Sequence, residues 1–492
     1  MSISQLPILI PFAFLGAGLL IPLLTLWKRG LAQPVALLGA GVALTASAYA
    51  FWSRFGLDAL HYRFGGWQPP IGIEFVYDGV SGFVVLVINA VAFLTLIYSR
   101  DLARAEFPER DVPYYALVML MMLGLNGIVL TGDLFNLFVF LEISSLSAYS
   151  LLAVGGKAAP FAAFRYLILG TVGGSLYLLG LGFLYTVTGT LNMADMHAIL
   201  SNLVAQPAVV TGLVLITVGI GIKAALFPMH GWLPDVYGYS NSVSCALIPP
   251  IGTKVAAYVL LRILLFVFGA SAVNRVLPLT TILGVLASLG ILYGSIQAIK
   301  QTDLKRMLAY SSVSQIGYIL LGISLASPMG FVGALLHTLN HAVMKGCLFM
   351  VSGTIYHYEG HTDIRRFNKS YSERYPWTFV AFTLAALSMI GLPPLGGFFS
   401  KWYLAVGTYE SGQYGFLVVI LLSSLLNGVY FFRILERVYL KSPSEPAPQS
   451  HGPPTERATS SLLFPTLTLG VLLLVFGLAN ATIVAALLPL YD

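Results

Sequence analysis

Long apolar runs separated by short polar or Pro/Gly-rich breaks recur along the whole chain. They fall at roughly 6–27, 33–53, 76–98, 114–131, 133–154, 161–187, 205–238, 242–268, 276–299, 306–327, 330–357, 377–407, 413–440 and 461–489. A helix needs about 20 apolar residues to cross a hydrocarbon core of about 30 Å. The pattern therefore predicts an all-α polytopic membrane protein of about 14 transmembrane helices. Two runs carry internal breaks: the seventh reads KAALFP over 223–228 with Pro234 beyond it, and the twelfth reads GLPPLGG over 391–397. Unwound backbone at membrane depth is tolerated only where protein or water surrounds it, so both predict broken helices of the kind found at transporter sites. The breaks lie five spans apart, an odd offset that reverses the chain's direction through the membrane. Spans 4–8 and 9–13 are thus expected to form two inverted five-helix repeats.

The domain organisation that follows places N-terminal helices 1–3 and an external loop in 1–113 and the first repeat in 114–268. The second repeat occupies 276–440, a cytoplasmic linker 441–460 and the last helix 461–492. The proline-rich stretch SPSEPAPQSHGPPT at 442–455 marks that linker, and the external loop at 54–77 has room for short strands. Residues 7–27 lack a preceding positive region and are followed by Lys28 and Arg29, the layout of an uncleaved first span rather than a signal peptide.

Of the 492 residues, 57% are hydrophobic and 9% charged, against about 25% charged in a soluble domain. A soluble protein, or a single anchor bearing a large soluble domain, is excluded. The net charge of +6 reflects basic loops rather than nucleic-acid binding. Eighteen of the 26 Lys and Arg residues lie in or beside loops after odd-numbered spans, Arg100, Arg104, Arg306 and Arg433 among them. Four, Arg54, Arg63, Arg262 and Arg275, lie on the other side. This asymmetry places the odd loops in the cytoplasm and both termini outside, across a cell inner (plasma) membrane.

Four basic residues remain, and they fall inside spans: Lys223, Lys254, Lys345 and Lys401. Glu142 lies deep in the fifth span, nine residues and about 13 Å inward of Asp133. An intramembrane charge costs at least about 2.5–3.5 kcal/mol, so five of them point to function. His337, His341 and Lys345 recur at i, i+4 and i+8 and share one helix face. Two imidazoles at that spacing could hold a metal, but no third ligand is near, and a proton relay fits better. A pair that only fixes packing, and core histidines that donate to carbonyls, are the structural alternatives. Burial favours a lysine's neutral form and a nearby carboxylate its charged form, so a moving charge can switch proton affinity. Cys245 and Cys347 lie in apolar runs without metal-ligand spacing, and no cofactor, metal or catalytic nucleophile is expected.

The stretch GDLFNLFVFLE at 132–142 resembles the fifth helix of the antiporter-like subunits shared by Mrp-type cation/proton antiporters, respiratory complex I and membrane-bound hydrogenases. KAALFPMHGWLPD at 223–235, GTK at 252–254 and TDLKRMLAYSSVSQIGY at 302–318 are similar to that family's helices 7, 8 and 10. HTLNHAVMKGCLF at 337–349 and GLPPLGGFFSKW at 391–402 resemble its helices 11 and 12. The resemblance covers roughly 75–440 and implies proton-translocation roles for Glu142, Lys223, Lys254, His337, His341, Lys345 and Lys401. It implies a glutamate–lysine coupling pair at Glu142 and Lys223, a relay through Lys254 and the histidines, and an exit at Lys401. The absence of a long lateral helix after the last span resembles the D-type subunit of Mrp antiporters and its hydrogenase and complex I counterparts, and lysine at 401, Asn126 and Gly127 look most like the D-type subunit.

The expected function is the proton-translocating subunit of a multisubunit Na+/H+ antiporter, acting with other membrane subunits and on protons and sodium. The alternative is a proton-pumping, antiporter-like subunit of a redox complex. A passive scaffold is disfavoured by the five intramembrane ionisable residues.

Overall fold

The structure, a computed structural model, describes residues 3–54, 56–200, 203–269, 278–442 and 456–491. Arg275, and residues 443–455 of the predicted linker, lie outside the described residues. The chain is a helical membrane bundle. Helices α1 (Leu6–Thr25) and α2 (Ala32–Arg54) precede a hairpin of β1 (Leu60–Arg63) and β2 (Glu74–Tyr77), the strands anticipated in the external loop. Then come α3 (Gly79–Glu106), α4 (Asp111–Leu130), α5 (Leu134–Ala153), α6 (Ala159–Thr188) and the short α7 (Met193–Leu200). The seventh span is split into α8 (Pro207–Ala224) and α9 (Leu233–Tyr239), and α10 (Ser242–Leu261) runs on into a π-helical turn.

In the second half, α11 (Leu279–Lys300), α12 (Leu304–Ser324) and α13 (Pro328–Glu359) lead to the small α14 (Lys369–Arg374). The twelfth span is split into α15 (Pro376–Ile390) and α16 (Gly396–Glu410), followed by α17 (Tyr414–Leu440), α18 (Ser460–Leu478) and the short α19 (Asn480–Leu487). Among the described residues, 12 helices are long and apolar enough to cross a membrane. The other two predicted spans are helical but differ for physical reasons: α13 carries His337, Asn340, His341 and Lys345, and the twelfth span is cut in two.

Local chemistry sets many of the helix starts. Asp78 accepts from Ser81 N, Asp133 from Asn136 N, Asn241 from Ser244 N and Asp303 from Arg306 N, each side chain satisfying a free amide of a first turn. The last predicted span breaks at Ala479 into α18 and α19, a division that hydropathy does not reveal.

Burial separates the bundle into an inside and an outside. Helices α12 and α13 are buried along nearly their whole lengths, and α10 packs against both. By contrast α1, α2, α11 and α17 expose Leu, Val, Phe and Trp side chains on their outer faces. The polar residues of α10, α12 and α13 therefore sit inside protein, where a hydrogen-bond partner must be supplied by another helix.

Candidate functional site

The site begins at the first broken span. Helix α8 ends at Ala224, and Ala225 takes a left-handed backbone that turns the chain away. This leaves Lys223 in the last turn, buried, with Nζ donating to Ser145 Oγ at 2.8 Å and Tyr149 Oη at 3.0 Å. Glu142 Oε1 lies 3.7 Å from that ammonium. Helix α6 passes so close that a Cβ at Gly174 would stand 2.6 Å from Glu142 Oε1, and one at Gly170 would stand 1.9 Å from Tyr149 Oη. Glycine at both positions gives the polar groups their room. The carbonyl of Ile222, which the break leaves with only a tight-turn bond from Ala225 N at 3.1 Å, also accepts from Trp232 Nε1 at 3.0 Å, and the indole stacks on Tyr166 at 3.8 Å between ring centres. A tryptophan thus satisfies the helix end, and the lysine is left to face a carboxylate.

Between α5, α8 and α10 lies a cavity of about 50 Å³ lined by Ser144, Ser145, Tyr166, Lys223, Trp232 and Thr253. At about 10–15 Å³ each it has room for three or four water molecules. Thr253 Oγ1 is buried there without a protein partner, so the α10 side of the cavity offers a free hydroxyl. Its neighbour Lys254 is buried and donates to Pro249 O at 2.6 Å. Among the described residues no carboxylate lies within ion-pair distance of Lys254, Lys345 or Lys401.

On α13, His337 is held on both sides: Nδ1 bonds Ser400 Oγ at 2.9 Å and Nε2 bonds Gln315 Oε1 at 3.0 Å. His341 packs 5.9 Å from it, ring to ring, and neither of its ring nitrogens has a protein partner. The expected shared face is present. Lys345, one turn on, donates to Leu308 O at 2.7 Å and to the Ser311 hydroxyl of α12.

Lys401 follows the second break and reaches back across it. Its Nζ donates to Met389 O at 2.8 Å and Ile390 O at 3.1 Å, the last carbonyls of α15, and to Ser424 Oγ at 3.3 Å. Asn427 of α17, with its amide turned so that both halves are paired, accepts from Lys401 Nζ at 3.2 Å and from Gln315 Nε2 at 3.3 Å. A continuous hydrogen-bonded chain thus runs from His337 through Gln315 and Asn427 to Lys401. Sequence reasoning missed Asn427 altogether and left Gln315, Ser400 and Trp232, each inside a quoted motif, with no role, because neutral residues announce nothing by spacing.

The arrangement joins Glu142 to Lys223 directly, and His337 to Lys401 through two amides. Lys254 and Lys345 are brought to the same buried core but rest on carbonyls and a hydroxyl. Each buried polar group in the set except the His341 ring finds a partner on a neighbouring helix, at a helix break or, for Lys254, within its own helix.

The family described as NADH:quinone oxidoreductase/Mrp antiporter, TM, matches residues 131–427. This chain belongs to that family. The match spans both broken helices and every candidate site residue from Glu142 to Lys401. Among curated relatives, the N subunit of the NADH-quinone oxidoreductase of Desulforudis audaxviator (strain MP104C) is 44% identical over 98% of this chain and 97% of its own. The D subunit of the Na(+)/H(+) antiporter of Bacillus subtilis (strain 168) is 31% identical over 85% of this chain and 82% of its own. A chain in the Mrp complex from Dietzia sp. DQ12-45-1b superposes with a TM-score of 0.90 at 27% identity, covering 100% of this chain and 98% of its own. The protein is accordingly a multi-pass, antiporter-like membrane subunit of the Mrp or complex I type.

Proposed function

We propose that this chain is the proton-translocating subunit of a multisubunit monovalent cation/proton antiporter, exchanging sodium for protons together with partner subunits. The observation that carries the reading is the Glu142–Lys223 pair, 3.7 Å apart beside a helix break at membrane depth. A positive charge arriving near Glu142 would loosen its hold on the ammonium and lower the lysine's proton affinity. In this reading the released proton crosses the 50 Å³ cavity, whose α10 wall carries Thr253, to Lys254 next in sequence, and passes on to His341 and His337. Gln315 and Asn427, neutral amides that do not themselves carry the proton, hold His337 and Lys401 in one hydrogen-bonded network at the far end of the line.

Glu142 is 27% exposed. The α5 and α6 faces beside it present Phe135, Val139, Leu146 and Leu178. An intramembrane carboxylate open to lipid is costly, which supports a partner subunit covering this face. In this reading the protein lies in the plasma membrane with both termini external. The repeats 114–268 and 276–440 are related by inversion, a relation supported by one lysine-bearing break in each.

A second reading, a proton-pumping subunit of a redox complex, is favoured by the 44% identity to a protein named as the N subunit of an NADH-quinone oxidoreductase. One experiment tests both. Proton and sodium flux is measured in everted vesicles carrying the whole native complex, wild type and Lys223→Ala, with and without an electron donor. Sodium-dependent proton flux under an imposed gradient, lost in the variant, is the expected result. Flux that appears only with the donor selects the redox reading, and undiminished flux in Lys223→Ala overturns both.

A further inference from the structure

At the end of the bundle where α3 begins and α10 finishes, opposite the arginine-rich loops, lies a second and larger cavity of about 380 Å³. Its walls carry His61, Glu74, Asp78, His197, Tyr258 and Arg262. Three groups line up on one face of α10 and its π-helical continuation. Lys254, Tyr258 and Arg262 are spaced by four residues, each about 6 Å further along the helix than the last. Lys254 belongs to the buried line described above, and Arg262 opens onto the cavity. Tyr258 stands between them: its hydroxyl donates to Val129 O at 2.9 Å and accepts from Arg262 Nε at 2.7 Å. The Arg262 guanidinium in turn clasps both carboxylate oxygens of Asp78, the residue that caps α3.

We propose that Tyr258, with the Arg262–Asp78 pair, forms a proton passage between Lys254 and the cavity at this end of the protein. The inference rests on the proton-translocation reading and adds to it a branch that leaves the buried line at α10, well before Lys401. The ammonium of Lys254 now points the other way, toward Pro249 O. Its four-carbon stem lets the same group swing toward Tyr258 Oη one turn along. There the hydroxyl, still accepting from Arg262 Nε, turns its proton from Val129 O to water in the cavity and releases it as its remaining lone pair takes up a proton from the ammonium, so the tyrosine is unchanged and one proton has moved. A hydroxyl suits this task because it is donor and acceptor at once.

The charges around the passage fit a proton better than a metal cation. Asp78 is engaged by Arg262, and Glu74 by His61 at 2.9 Å and Asn192 at 3.0 Å, so both carboxylates are already bonded. His197 is tied to Val267 O at 3.1 Å and stays at the rim.

The test uses the whole complex in vesicles and compares Tyr258→Phe with wild type and with Lys223→Ala. The phenylalanine keeps the ring and removes only the relay atom. Proton flux is expected to fall about tenfold or more in Tyr258→Phe, with the complex assembled. Asp78→Asn, which leaves Arg262 uncompensated, should fall by a smaller factor. In a second measurement Val76→Cys, on the cavity wall, is treated with a membrane-impermeant thiol reagent from each side. Labelling from the side opposite the arginine-rich loops, with loss of flux, is expected. Wild-type flux in Tyr258→Phe together with loss in Lys223→Ala overturns the passage and leaves the broader reading standing. Wild-type flux in Lys223→Ala overturns both. If Tyr258→Phe fails to assemble, the Val76→Cys result decides, and absence of labelling from that side overturns the passage.

Discussion

The two broken spans place a lysine beside unwound backbone in opposite ways. At the first, Lys223 precedes the break, Trp232 donates to the carbonyl of Ile222, and the ammonium is left to Glu142, Ser145 and Tyr149. At the second, Lys401 follows the break and itself satisfies the carbonyls of Met389 and Ile390, with no carboxylate of the described residues within ion-pair distance. The same local device thus yields a lysine whose charge answers to another charge, and a lysine whose charge is held by dipoles. A pair of opposite charges can be disturbed by a third, whereas carbonyls at a helix end hold a cation in place. The first site is suited to coupling and the second to receiving.

The comparison breaks outright if the first pair is dispensable. Glu142→Ala and Lys223→Ala are each expected to lower proton flux at least about 100-fold, with assembly intact by native gel of the purified complex. Lys401 separates its two duties under two substitutions. Lys401→Ala should stop flux and also lower the melting temperature, because two helix-end carbonyls lose a donor, a cost of about 1–3 kcal/mol. Lys401→Gln keeps a donor for those carbonyls and loses the transferable charge, so flux should fall while thermal stability stays near wild type. Equal melting temperatures for the alanine and glutamine variants would remove the capping role.

The two histidines sharpen the picture further. His337→Ala deprives Gln315 and Ser400 of their partner and should lower both flux and melting temperature, whereas His341→Ala, which breaks no protein hydrogen bond, should lower flux alone. If both variants carry wild-type flux, the relay through α13 fails. Trp232→Phe has a smaller expected effect, about 1 kcal/mol of stability from the lost donation to Ile222 O, read as a modest drop in melting temperature.

The smallest effect concerns pH. Burial pushes the Asp78 carboxyl up, but the charge of Arg262 and hydrogen bonds from Arg262 and Ser81 outweigh it and hold the group below the ordinary carboxylate value. The native state therefore binds fewer protons here than the unfolded chain. The pair stabilises the fold above about pH 4, the unfolded value, and that contribution disappears as pH falls through the lower native one. The melting-temperature gap between wild type and Asp78→Asn should be widest near pH 7 and narrow below about pH 4. A gap that is constant with pH would show that the pair contributes nothing through charge.

Legibility differed between the two sites for the same reason that their chemistry differs. Glu142 and Lys223 stand out as charges in apolar runs, and proline and glycine mark both breaks, so each could be read without coordinates. Gln315, Ser400 and Asn427 are neutral and sit in three different helices, 27 to 112 residues apart. No periodicity links them. The short helices α7 and α14 and the break at Ala479 were also invisible, since each is only a turn or two long and hydropathy averages over such lengths.

What the chain determines by itself is whatever depends on neighbours in sequence: where apolar runs begin and end, where Asp, Asn and Ser cap them, and which ionisable groups are carried into the membrane. Only the tertiary structure decides which partner each of those groups receives. Lys223 meets Glu142 rather than a carbonyl because α6, with glycines at the contact, packs against both α5 and α8, and Lys401 turns back because the chain doubles past the end of α15 before α16 begins. A buried polar group must find its partner on another helix, and that choice is made by packing at a distance of tens of residues, which no local pattern encodes.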